Sequence, residues 1–171
     1  MRTPPTLVLL LGLAGLIPFI VTGYLAVSTH GTPADMHALL ALISYGAVIL
    51  SFLGAVHWGF ALAEPPASLA GLAPPPSNRD PAHKPRLALG VLPALIGWVA
   101  LLVALLLPSP AIALGILIAG FIATNVAEQS GYRRGWVPVR YLWLRWILTV
   151  IVVAILVTVL VLRLSGARII L

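Results

Sequence analysis

Long apolar stretches alternate along the chain with short polar segments rich in proline and glycine. The stretch from His37 to Ala63 contains neither charge nor proline. As a helix rising ~1.5 Å per residue it exceeds the ~30 Å hydrocarbon core of a bilayer, so it can cross with tilt or overhang. Comparable stretches run over about 7–27, 87–107, 111–129 and 141–162. The pattern predicts an all-α polytopic membrane protein, a compact bundle of five transmembrane helices forming a single domain over 1–171. The first stretch is too long for the apolar core of a signal peptide and is preceded only by Arg2, so it is read as a retained helix. Pro18 within it cannot donate to the Ala14 carbonyl, which predicts a kink. Ser28 to Met36 reads as a loop, Glu64 to Arg86 as a proline-dense polar connection, and Pro108-Ser109-Pro110 as a tight reversal.

Small residues add a second pattern. Ala47, Ser51, Ala55, Gly59 and Ala63 recur every four residues in the second span, and Ala111, Gly115, Ala119, Ala123 and Ala127 do so in the fourth. Such ridges let helix backbones approach closely. The two spans run in the same direction, so a mutual contact would be parallel and right-handed, at around −40°. The fifth span is rich in Val, Ile and Leu, has no small ridge, and is expected to be the most lipid-exposed.

Composition sharpens this reading. The chain has 171 residues, of which 61% are hydrophobic and 8% charged, with a mean hydropathy of +1.10. A soluble domain carries about a quarter charged residues, so lipid or other apolar helices must surround most of this one. The absence of cysteine excludes disulfides and thiolate metal sites. The net charge of +6 lies beside the apolar spans, where Lys and Arg set topology and meet anionic headgroups, and nucleic acid is not an expected partner. With five spans, Arg2, Arg79, Lys84, Arg86, Arg133, Arg134, Arg140 and Arg145 gather on the N-terminal side, against Arg163 and Arg168 on the other. This asymmetry predicts a cytoplasmic N-terminus and an outside C-terminus. Arg133, Arg134, Arg140 and Arg145 are read as topology or headgroup residues, and Trp136, Tyr141, Trp143 and Trp146 as an interfacial aromatic belt.

His57 and Trp58 are the sharpest candidates for a site, with Ser51 a turn and a half earlier. An ionisable ring within a span marks either a ligand-contacting imidazole or an interhelical hydrogen bond. The hydrogen bond is the preferred reading, with the carbonyls freed by Pro18 and Pro93, at Ala14 and Leu89, as acceptors. Haem held by two imidazoles is not expected, because His37 lies ~30 Å from His57 along the same helix. His30, Asp35 and His37 are read as a helix start with two incidental histidines rather than a metal site. Asn125, Glu128 and Gln129 are read as a solvated helix end. No cofactor is expected, and no catalytic triad, zinc motif, P-loop or dinucleotide fingerprint is present.

The string from Tyr45 to Leu62, Leu92-Pro93 with Gly97-Trp98, and Pro138 followed by Leu144 to Thr149 resemble a family of small membrane proteins of unknown function. That family has bacterial members and includes the animal mitochondrial transmembrane protein 69. Its most specific motif, S-F-L-G-x-x-H-W-G, is matched from Ser51 to Gly59, whereas Arg140-Tyr141 stands where the family has Trp-Tyr. The resemblance implies a membrane-embedded fold and no settled activity, and fits a bacterial cytoplasmic (inner) membrane. The leading functional expectation is an accessory subunit or assembly factor docked on a larger membrane complex through its small-residue ridges. The alternative is a carrier or binding protein for a lipid-soluble molecule such as a quinone, with His57 and Trp58 in the pocket. An enzyme would need a second ionisable group within hydrogen-bond reach of His57.

Overall fold

A computed structural model describes residues 6–62, 83–107, 109–133 and 139–166. The described chain is helical without strands: α1 (Thr6–Ala14), α2 (Ile17–Ser28), α3 (Asp35–Leu62), α4 (His83–Leu106), α5 (Pro110–Arg133) and α6 (Val139–Leu164). Helices α1 and α2 together form the first span, so the helices provide 5 segments long and apolar enough to cross a membrane. Successive spans run antiparallel, which brings the start of α1, the end of α3, the start of α4, the end of α5 and the start of α6 to one face of the bundle.

The first span is broken rather than merely kinked. Gly15 and Leu16 separate its halves, and Leu16 N–H turns back to the Leu13 carbonyl at 2.9 Å. Pro18 lies within the first two positions of α2, where the missing N–H costs nothing. The Gly15 carbonyl, released at the break, accepts the Tyr45 hydroxyl at 2.9 Å. A half-buried residue of α3, packed against the core, thereby secures the break.

Helices α3 and α4 approach most closely, through Gly54, Gly90 and Gly97, which lie outside the predicted ridges, and Ala47, which belongs to one. A Cβ on Gly54 would lie 2.7 Å from the Gly90 carbonyl oxygen, and one on Gly97 would lie 3.0 Å from Ala47 Cα. Ala47 and Gly54 are seven residues apart, as are Gly90 and Gly97. Seven residues make two turns, so both contacts fall on one antiparallel seam of coiled-coil periodicity. Pro93 sits inside α4 on this seam, with its Cδ 3.3 Å from the Gly54 Cβ position. Gly120 of α5 fills the junction beyond, where a Cβ would lie 2.8 Å from both Ile96 and Leu50 side chains.

Phe19, Leu39, Leu42, Ile43, Leu50, Leu114, Leu117, Phe121 and Leu156 form the buried centre. Phe19 joins α2 to its neighbours, edge-on to Tyr45 at 4.9 Å and to Phe121 at 6.1 Å. Helix α6 shares the most lipid-exposed position with α4: 22% of each span is buried, against 28% in the first and 39% in those of α3 and α5.

The face opposite the chain's N-terminus is closed by an ion pair between α3 and α6. Arg163 binds the Asp35 carboxylate through both terminal nitrogens, Nη2 at 3.0 Å from Oδ2, and donates to the Ala26 carbonyl at 2.9 Å. His30 Nδ1 and the Gly31 N–H each lie 3.1 Å from Asp35 Oδ2. Gly31 has φ 77°, the left-handed conformation that glycine adopts without steric cost and that turns its N–H toward Asp35.

Candidate functional site

The buried stripe of each of three helices ends in a polar side chain at the face bearing the N-terminus. Leu39, Ile43, Leu50 and Leu53 of α3 lead to His57; Leu114, Leu117, Phe121 and Thr124 of α5 lead to Glu128; and Val159, Leu156, Val152 and Thr149 of α6 lead back to Arg145. Spacings of three, four and seven residues keep each set on one helical face. His57 and Arg145 are each 5% exposed and Glu128 is 0% exposed, so the three meet inside the protein rather than at its surface.

Arg145 Nε lies 3.0 Å from Glu128 Oε2 and 3.2 Å from Oε1, and the hydrogen bond is directed at Oε1. Nη1 of the same guanidinium donates to Thr149 Oγ1 at 2.8 Å, one turn along α6. His57 Nε2 faces Glu128 Oε1 at 3.5 Å, at the outer edge of hydrogen bonding. The carboxylate therefore stands between an imidazole and a guanidinium. Thr124 Oγ1 is satisfied by the Gly120 carbonyl at 2.8 Å. Among the described residues, His57 Nε2, Asn125 Oδ1, Glu128 Oε2 and Arg145 Nη2 are buried without a hydrogen-bond partner. Orphaned buried polar atoms are costly, and two of these, His57 Nε2 and Arg145 Nη2, belong to the residues that flank the Glu128 carboxylate, which marks a place where something other than packing has set the sequence. Ionisable residues held within membrane spans carry the same implication.

A cleft reaches this cluster from the lipid side. Its outer part, about 330 Å³, is lined by Leu11 and Gly12 of α1, Phe52, Leu53 and Val56 of α3, and Leu144, Arg145 and Leu148 of α6. A deeper part of about 160 Å³ shares Leu11, Gly12, Phe52, Leu53, Arg145 and Leu148 and extends to Gly15, Phe19 and Phe121. The floor thus begins at the α1–α2 break. Gly12 brings α1 against α6, where an added Cβ would lie 3.3 Å from Leu148 Cδ1. Among the described residues, Arg145 is the sole charged side chain in either lining.

The positions of the expected site residues differ from one another. His57 faces Glu128 and not the Ala14 or Leu89 carbonyl. Trp58 points away from that cluster, with its indole over Gly90 of α4, where a Cβ would fall 1.8 Å from Trp58 Cδ1. Ser51 bonds within its own helix, to the Ala47 carbonyl at 2.8 Å. The headgroup role expected of Arg145 does not match its place, since its guanidinium turns inward to Glu128. Glu128 and Asn125, read as a solvated helix end, are buried, because they continue the core stripe of α5 beyond Phe121. That continuity was the available signal for both. Of the small ridges, Ala47 is buried at the α4 seam, while Ala55, Gly59, Ala119 and Ala123 are exposed. A Cβ at Gly59 or Gly115 would meet nothing within 4 Å among the described residues. Ala111 and Ala127 are half-buried. Ala63 and Arg134 lie outside the described residues, as do the side chains of Arg133 and Arg140.

Fold and site define an all-α polytopic membrane protein with a buried ionisable cluster at one face of its bundle. The chain belongs to the family described as "Protein of unknown function (DUF3429)", whose model matches residues 4–161. It is 41% identical over 105 residues to transmembrane protein 69 of Xenopus tropicalis, a match covering 60% of this chain and 35% of that relative. The chain thus spans about a third of the relative's length in the match. No solved structure matches.

Proposed function

We propose that this protein binds a lipid-soluble small molecule in the cleft between α1, α3 and α6. The observation that carries the reading is Arg145, buried in the wall of an otherwise apolar cleft with one nitrogen unpartnered among the described residues. Ligand sites in membranes combine an apolar enclosure with a few fixed polar groups. The expected pocket changes in composition: Arg145 takes the place given to Trp58, and His57 stands behind it through Glu128. In the orientation that the basic asymmetry supports, with the N-terminus in the cytoplasm of a bacterial inner membrane, the cluster lies at the cytoplasmic end of the spans. The reading is tested by purifying the full chain in mild detergent and identifying co-extracted small molecules. Val56→Phe, which fills the outer cleft, should deplete whatever the wild type retains. Equal retention by the variant would remove the cleft from consideration.

A second reading, docking as an accessory subunit or assembly factor, is favoured by Gly59 and Gly115, over which no described residue packs within 4 Å of an added Cβ. The close contacts inside the bundle use Gly54, Gly90, Gly97 and Gly120 instead, which leaves the outward ridges as surplus close-packing surface. Co-purification of a larger membrane assembly, lost in Gly59→Leu or Gly115→Leu chains that still fold, would support it.

A further inference from the structure

We infer that α1 is a movable wall of the cleft, hinged at Gly15 and Leu16 and latched by Tyr45, and that its displacement is the route by which a ligand enters from the lipid. The route rests on the ligand-binding reading above; the hinge does not. Helix α1 contributes Leu11 and Gly12 to both parts of the cleft, whereas the α3 and α6 walls belong to helices anchored by their own buried stripes. None of the described side chains of α1 is buried, and Leu10, Leu11 and Leu13 are 59%, 64% and 51% exposed. Every other helix contributes buried residues. Anchorage begins just past α1, with Leu16 at 7% and Phe19 at 1%. Lipid chains are as apolar as leucine, so no hydrophobic force draws these exposed side chains onto the bundle. A segment with so little buried contact opens at low free energy.

The break supplies the hinge. Leu16 N–H bonds to the Leu13 carbonyl at 2.9 Å, and the four-residue pattern resumes with Ile20 N–H on the Leu16 carbonyl at 3.0 Å. Pro18, between them, has no N–H with which to tie α2 back to Ala14. The contacts that hold the wall in place are small. Gly12 rests on α6, where an added Cβ would lie 3.3 Å from Leu148 Cδ1, and the Tyr45 hydroxyl donates to the Gly15 carbonyl at 2.9 Å. Tyr45 stands on the fixed side, its ring edge-on to Phe19 at 4.9 Å. Gly15, Leu16 and Phe19 also line the deeper part of the cleft. Outward rotation of α1 about the break therefore widens the mouth beside Leu11, while Leu16 and Phe19 keep the floor in place.

The chain has no cysteine, so introduced thiols alone carry spin labels. Full-length Leu10→Cys/Ile122→Cys in detergent reports the position of α1 against α5, and Ile20→Cys/Ile122→Cys that of α2, beyond the hinge. All three positions are exposed and accept a label without disturbing the core. Double electron–electron resonance measures both distances, with Tyr45 intact and in Tyr45→Phe, which removes the hydroxyl and keeps the ring. In Tyr45→Phe the displaced population of the α1 pair should grow at least twofold, and the α2 pair should not change. Identical α1 distributions with and without the hydroxyl, or equal broadening of both pairs, would overturn the hinge. Unlabelled protein preloaded with decyl-1,4-benzoquinone then tests the route. Release into an excess of empty micelles should be at least fivefold faster in Tyr45→Phe. A displaced population with unchanged release would overturn α1 as the route. A displaced population with no quinone retained by the wild type would support the hinge and remove the route together with the ligand-binding reading.

Discussion

Glu128 at the end of α5 and Arg145 near the start of α6 are joined inside the protein, 17 residues apart in sequence, with Arg145 Nε 3.0 Å from Glu128 Oε2. Helices α5 and α6 run antiparallel, so two core stripes meet at their polar ends. Removal of both charges from water is tolerated because each compensates the other and Thr149 takes a further donor.

The pair predicts a pronounced non-additivity. Glu128→Gln or Arg145→Met alone leaves one charge buried and unpaired, at a cost of about 3–5 kcal/mol. The double variant Arg145→Met/Glu128→Gln removes that charge and should recover most of the loss. Unfolding by SDS titration of the four proteins gives the coupling energy. Simple addition of the two losses would mean the pair is not isolated from water.

A second prediction concerns the α3–α4 seam. Gly54→Ala places its methyl 2.7 Å from the Gly90 carbonyl oxygen, and backbone cannot step aside as a side-chain end can. The two helices must separate, with a cost of about 1–3 kcal/mol. Gly90→Ala instead meets the Trp58 indole, 1.8 Å from Cδ1 and 2.0 Å from Nε1, so the ring itself must move. It should change the emission of a chain retaining Trp58 as its single tryptophan. An unchanged Trp58 environment would contradict the packing.

Much of the architecture was legible because the apolar stretches have bilayer length and the intervening segments do not. The cluster was legible in principle too. Leu142, Arg145, Thr149, Val152, Leu156 and Val159 alternate by three and four, so Arg145 lies in register with the buried face of α6. Position misled: a charge near the end of a span resembles a headgroup anchor, and only tertiary contact shows that Glu128 meets it. The small-residue ridges had the period of a right-handed crossing, whereas the close seam uses glycines with a seven-residue spacing. Which of two sets of small residues meets a neighbour depends on helix rotation, and local sequence does not specify that. The break at Gly15 was likewise visible only as a proline effect at Pro18. Its second half, capture of the Gly15 carbonyl by Tyr45, is a contact over 30 residues.

The opposite face supplies a third prediction. Arg163 spans the Asp35 carboxylate and the Ala26 carbonyl at once, a use that depends on the planar guanidinium. Arg163→Lys keeps the charge but cannot reproduce these directions together. It should lose about 1 kcal/mol, allowing for the partial exposure of the pair. Amide exchange at the α2–α3 turn should quicken in the same variant. Stability and exchange equal to wild type would show that charge alone suffices there.

The last prediction tests whether His57 is structural or chemical. Its Nε2 is buried and 3.5 Å from Glu128 Oε1, so the imidazole both fills the end of the α3 stripe and faces the carboxylate. His57→Ala removes both contributions and should cost on the order of 1 kcal/mol, the scale of polar contacts between membrane helices. His57→Gln places an amide N–H close to the Nε2 position and can still donate to Glu128, so it should lose less. The glutamine cannot accept and release a proton as imidazole does. Stability and function therefore separate: in a purely structural role, glutamine preserves both, and alanine weakens both together. A glutamine variant that unfolds like wild type but has lost quinone binding or partner assembly as completely as alanine would assign the imidazole a chemical task. Glu128, the neighbouring carboxylate, would then be the group with which it exchanges a proton.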